Sequence, residues 1–149
     1  MKTIILFALA FMASATSIAQ KISSDKVPSE VREAFKKKFP SVVSTKWERE
    51  SETEFEVSFK ENKEEYSAKF EKTGKWLETE HEMENAQLPA SVQNTLKSEF
   101  AGFQIKEAEE VETSDLGKIY ELALKNKSES YEVKFSSDGK VLNKEKIKK

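Results

Sequence analysis

The chain contains no cysteine, a single histidine, three prolines and four glycines. Each shortage removes a class of chemistry. Without thiols there is no disulfide framework, no thiolate nucleophile and no cysteine to carry a lipid after an export signal. The fold must therefore be held by its core alone. The lone histidine, His81, sits in "ETEHEMEN", Glu78 to Asn85. A zinc-protease helix needs a second histidine four residues on, and that position is Asn85. Catalytic zinc sites use two or three His or Cys ligands, so His81 with Glu80 or Glu82 is at best a weak cation site, set against an exposed histidine at a strand end. Four glycines leave no phosphate-cradling loop. There is no Gly-x-Ser-x-Gly elbow, and Ser58 and Ser67 have no histidine nearby in sequence to activate them.

Charge of one sign is also missing. The net charge is −2, and the one basic cluster (Lys144, Lys146, Lys148, Lys149) is interrupted by Glu145. It reads as a solvated tail, which argues against nucleic acid, whose binding needs a concentrated basic patch. Long apolar runs are absent except at the start. There Lys2 gives a positive n-region, Ile4 to Met12 an apolar stretch, and Ser17-Ile18-Ala19 small residues at −3 and −1. This three-part pattern predicts a secretory signal over residues 1–19, cleaved before Gln20. The apolar run is shorter than the ~20 residues of a spanning helix. Removing Lys2 with the signal lowers 25 basic residues to 24 against 27 acidic ones, a net charge of −3. The expected product is exported, periplasmic or secreted, with no membrane insertion after cleavage.

What the chain does contain, it contains twice. "YSAKFEKTGKWL" (66–77) returns as "YEVKFSSDGKVL" (131–142). Upstream, Val27-Pro28 matches Leu88-Pro89, Val31 matches Val92, Phe35 matches Leu96 and Phe39 matches Phe100, each sixty-one residues on. From Phe55-Glu56-Val57 against Tyr120-Glu121-Leu122 the offset is sixty-five. The extra four residues fall in the turn-like stretch Thr113–Lys118, where repeats usually differ.

Each unit opens with a helix. Pro28 and Pro89 suit a first helical position, and Val31, Ala34, Phe35 and Phe39 recur at helical spacing, as do Val92, Leu96 and Phe100. Pro40 stops the first helix, and Gly102 can cap the second. The period then becomes two. Phe55, Val57, Phe59 and Tyr66, Ala68, Phe70 alternate with polar residues, as do Tyr120, Leu122, Leu124 and Tyr131, Val133, Phe135. Such alternation predicts antiparallel strands with one buried face. Gly74 and Gly139 supply positive-φ turns before final strands over Lys75–Glu82 and Lys140–Ile147. A further strand is expected at Thr45–Glu50, and its partner around Ile105–Val111 is less clear. The fold class is α+β, a tandem repeat of a helix followed by three to four antiparallel strands, over 20–84 and 85–149. A unit of this size is marginal alone, so one continuous sheet or two apposed sheets are expected.

The arrangement "VPSEVREAFKKKFP…KWE…FEVSF…YSAKF…TGKWLE", followed by "LPASVQNTLKSEFAGFQIKEAE…YELAL…YEVKFSSDGKVL", resembles the exported PepSY-like, β-lactamase-inhibitor-like proteins of Bacteroidetes-type bacteria. The resemblance runs from Lys21 to about Ile147. It implies the tandem helix-and-sheet fold and an envelope location. PepSY domains are associated with inhibiting or modulating peptidases and with sensing at the envelope. No catalytic residues come with the family.

The glutamates alternate with lysines, as in Glu56/Lys60 and Glu132/Lys134, the ordinary look of a solvated sheet face. Trp76-Leu77 and Val141-Leu142 are less ordinary. Neighbours on a strand face opposite sides, so one member of each pair leaves the core unless the strand bulges. Trp76 or Leu77, with Leu142, Trp47 and Phe103, could form an apolar protein-binding spot, unless a second layer covers them. The expectation is a non-enzymatic binding module without cofactor, metal or catalytic residues, whose partner is an extracytoplasmic protein and which inhibits or modulates it. The alternative is a periplasmic small-ligand or divalent-ion sensor using the acidic surface.

Overall fold

A computed structural model describes residues 20–147. The expected signal segment, 1–19, and the last two lysines lie outside the described residues. The elements are β1 (Gln20–Ile22), α1 (Ser29–Lys38), β2 (Thr45–Arg49), β3 (Glu54–Glu61), β4 (Glu64–Glu71), β5 (Trp76–Glu82), α2 (Ala90–Glu99), β6 (Gln104–Thr113), β7 (Gly117–Lys125), β8 (Ser130–Ser136) and β9 (Val141–Lys146). The nine strands form one sheet in sequence order, every neighbouring pair antiparallel. The segment around Ile105–Val111 lies within β6, a strand of ten residues. No helix among the described residues is long and apolar enough to cross a membrane.

Pro28 and Pro89 each stand one residue before their helix, in extended backbone, and not at its first position. α1 ends at Lys38 because Phe39 precedes Pro40 and leaves helical angles (φ −125°, ψ 67°). Gly74 and Gly139 have φ of +84° and +85°, and they also need to be small. A Cβ on either would stand 2.6 Å from the Glu30 carbonyl oxygen or 2.5 Å from that of Ser91, in the first turn of the overlying helix. Each hairpin turn is thus pressed against its helix.

Two apolar cores result. Val31 and Phe35 of α1 pack with Trp47, Phe55, Val57 and Phe70. Val92 of α2 packs with Leu122, Leu124, Val133 and Phe135. The sheet passes without a break between them, since β5 and β6 pair from Glu78↔Thr113 to Glu82↔Glu109. One row of facing partners runs Tyr66–His81–Glu110–Tyr120–Phe135. Facing partners lie on the same side of a sheet. Tyr66 packs on the first core and Tyr120 and Phe135 belong to the second, so both helices cover the same face.

Candidate functional site

The expected apolar spot is not assembled. Trp47 pairs with Ile22 and Val57, faces α1 and is only 5% exposed, so it is a core residue. Trp76 pairs with Phe70 and packs on the first core. Its indole N–H donates to Thr79 Oγ1 at 2.9 Å, and Lys38 Nζ stands 3.7 Å from the ring centroid. Phe103 packs on the second core, edge-on to Phe100. Leu77 and Leu142 are the extra residues of two bulges: pairing jumps from Phe70↔Trp76 to Lys69↔Glu78, and from Phe135↔Val141 to Lys134↔Asn143. Of the five, Leu142 alone counts among the exposed large apolar side chains of the described residues.

His81 faces the helices, its ring centroid 5.0 Å from that of Tyr66. Glu80 and Glu82, its chain neighbours, point to the other side, so the histidine–carboxylate site does not form. Among the described residues no group of three or more His, Cys, Asp or Glu side chains could hold a metal ion.

The face away from the helices is where the structure departs most from a solvated surface. Its central rows run Glu48–Glu56–Lys69–Glu78, Ser67–Glu80–Val111–Ile119, and Glu82–Glu109–Glu121–Lys134. Val111 and Ile119 are buried, and belong to neither helix-covered core. Glu56 is 6% exposed, which corrects its reading as a solvated residue. Burial, reinforced by the charges of Glu80 and Glu50, pushes its carboxyl up to about 7. Burial and the charges of Glu80 and Glu121 push Glu109 up to about 8. Burial also raises Glu80, against a 2.8 Å hydrogen bond donated by Ser67 Oγ, and it raises Glu132. The lysines here are engaged. Lys69 Nζ donates to Glu78 at 2.6 Å, and Lys134 bonds Glu121. Burial opposes the charge on Lys69, but Glu78 overcomes it and holds the ammonium above its usual range. A cavity of about 40 Å³ opens among Glu80, Glu107, Glu109, Glu121 and Glu132, with Ile147 beside them.

Sequence reasoning missed this cluster. Its trace is Glu78, Glu80 and Glu82 at alternate positions of β5, Glu107 and Glu109 in β6, and single glutamates, Glu121 and Glu132, in β7 and β8, which become a patch only when the strands are placed side by side. Chemically it offers carboxyl groups still protonated near neutral pH. The cavity is far below the ~300–1,000 Å³ of small-molecule sites.

The described residues form a helix-covered antiparallel sheet with an open acidic face. The chain belongs to the family described as "Putative beta-lactamase-inhibitor-like, PepSY-like", whose model matches residues 14–67 and 53–143. Its fold is shared with a BLIP-like protein from Bacteroides fragilis (TM-score 0.71, 20% identity, 82% of this chain and 88% of that one). It is shared equally with a DUF2874 family protein from Bacteroides ovatus (TM-score 0.73, 19% identity, 83% and 89%). A third is a Bacteroides eggerthii protein described as "putative periplasmic proteins" (TM-score 0.72, 21% identity, 81% and 89%). No functionally curated protein matches the chain.

Proposed function

We propose that this chain is an exported, non-enzymatic binding module that engages an extracytoplasmic protein through the sheet face its helices leave free. One observation carries the reading. That face buries carboxyl groups, Glu56 and Glu109 above all, in surroundings that penalise their charge, a cost that stability alone does not explain. Family membership favours a modulator or inhibitor, a peptidase being one class of target. The signal-like start and the periplasmic description of a fold relative favour the envelope. In this reading the chain is a tandem repeat, 20–84 and 85–149, the first half contributing five strands (β1–β5) and the second four (β6–β9) to one binding surface. General acid–base catalysis would need the split carboxyl pair to line a pocket large enough for a substrate, and the glutamate cavity is too small.

The test is affinity capture of tagged Gln20–Lys149 from native envelope extract, beside Glu107→Lys/Glu132→Lys on the open face and Glu33→Lys on the exposed side of α1. A protein retained by wild type and Glu33→Lys but lost with the double variant supports the reading. Equal retention by all three contradicts it. Saturable thermal stabilisation by calcium or magnesium, with no protein retained, would favour an ion sensor instead.

A further inference from the structure

We infer that the strip of the open face running from Glu56 through Glu80 to Glu109 seats the lysine or arginine side chains of a basic polypeptide segment of the partner. The inference rests on the proposed binding role of that face and names its chemistry. Glu56 is nine-tenths buried, and register aims it onto this face. Among the described residues none makes a hydrogen bond or ion pair to Glu56 or Glu109. Glu80 links the two, being the charge that acts most strongly on each. The nearby ammonium groups of Lys69 and Lys134 are bonded to Glu78 and Glu121, so carboxylates outnumber cations along the strip.

The alternatives fit less well. A divalent ion needs several oxygens converging within about 2.3–2.6 Å, and no such group exists among the described residues. A larger organic ligand has no room in about 40 Å³. A water needs ~10–15 Å³ of such space, so an ammonium or a guanidinium edge is of the right scale. Nucleic acids and anionic lipid surfaces would be repelled.

Docking has a chemical signature. A protonated carboxyl on the strip ionises when a cation arrives, the O–H bond breaks, and the proton goes to buffer while the carboxylate pairs with the partner's ammonium or guanidinium. Facing Glu109 are Glu80 and Glu82 from β5, Glu107 on its own strand, Glu121 from β7, and Glu132 and Lys134 from β8. Facing Glu56 are Glu48 and Glu50 from the β2 side, Lys69 from β4, and Glu80 from β5. Acids dominate both settings, so affinity for a cation rises with pH.

The experiment is titration calorimetry of Gln20–Lys149 with Ac-(Gly-Arg)4-NH2 at pH 7.5, in phosphate and in Tris, and with Ac-(Gly-Glu)4-NH2 as control. Expected are saturable binding of the basic peptide alone, a heat that differs between buffers by the released proton, and affinity about tenfold or more tighter at pH 9 than at pH 6. Glu109→Gln and Glu56→Gln should each weaken binding at pH 9 about fivefold or more. Glu99→Gln, an equal charge change on the exposed end of α2, should weaken it less than twofold. Lack of saturable binding, binding without proton release, or equal effects of the three variants would overturn the inference, as would stoichiometric displacement of the peptide by micromolar calcium. If the peptide fails while envelope capture still depends on Glu107 and Glu132, the cationic chemistry falls and the face reading stands. If capture ignores those residues too, both fall.

Discussion

The two helices meet the sheet at matching places by different means. α1 docks through rings. Phe35 lies 5.2 Å from Phe39, 5.5 Å from Trp47, 5.2 Å from Phe59 and 6.3 Å from Phe70, centroid to centroid. The corresponding residue of α2 is Leu96, only partly buried. α2 instead carries hydroxyls where α1 has Glu30 and Ala34: Ser91 Oγ donates to the Ser137 carbonyl at 2.7 Å, and Thr95 Oγ1 to the Gly139 carbonyl at 2.7 Å. What is alike in the two halves is backbone geometry, namely the glycine turn under each helix and the bulge after it. The side chains that fill the two cores differ, while the glycine turn under each helix is shared.

The largest break in that comparison is Phe35→Ala. Losing a ring from this cluster should cost ~3–5 kcal/mol, against roughly 1–2 kcal/mol for Leu96→Ala, as urea unfolding of the two variants would show. Next come the glycines. Gly139→Ala and Gly74→Ala each combine a left-handed backbone with a Cβ driven into a helix carbonyl, and about 2–3 kcal/mol is expected from either. Near-equal losses would support shared geometry, and a harmless Gly74→Ala would break it.

Glu56 comes third. Its folded-state carboxyl titrates above the ordinary 4.5, so the charged form is the one penalised. The contribution of Glu56 to stability is full below about pH 4.5 and is lost as pH rises through about 7. Glu56→Gln should therefore be more stable than wild type by roughly 2 kcal/mol at pH 9, and little different at pH 5. Smallest is Thr95→Val, which loses the bond to Gly139 for about 1 kcal/mol and sharpens the contrast with ring-docked α1.

Much of this was legible. Helices, strands and both glycine turns follow from apolar period and turn chemistry, and the adjacent apolar pairs Trp76-Leu77 and Val141-Leu142 mark the two bulges. Trp47 was not placed, because β2 has only five residues and its inward face is decided by pairing with Val57, a partner ten residues on. The glutamate strip was hidden for a related reason. Glu56, Glu80 and Glu109 lie on three different strands, and the pairing of Glu82 with Glu109 joins the two halves of the chain. Alternation shows that each points outward. Only the assembled sheet shows that outward is not the same as solvated.

The central claim is that the open face keeps carboxyls that cost stability because they bind. Glu109→Gln tests both sides in one variant: urea unfolding at pH 9, and affinity for Ac-(Gly-Arg)4-NH2 at the same pH. The account predicts a protein more stable than wild type that binds the peptide more weakly. A variant that is less stable, or that binds unchanged, would contradict it.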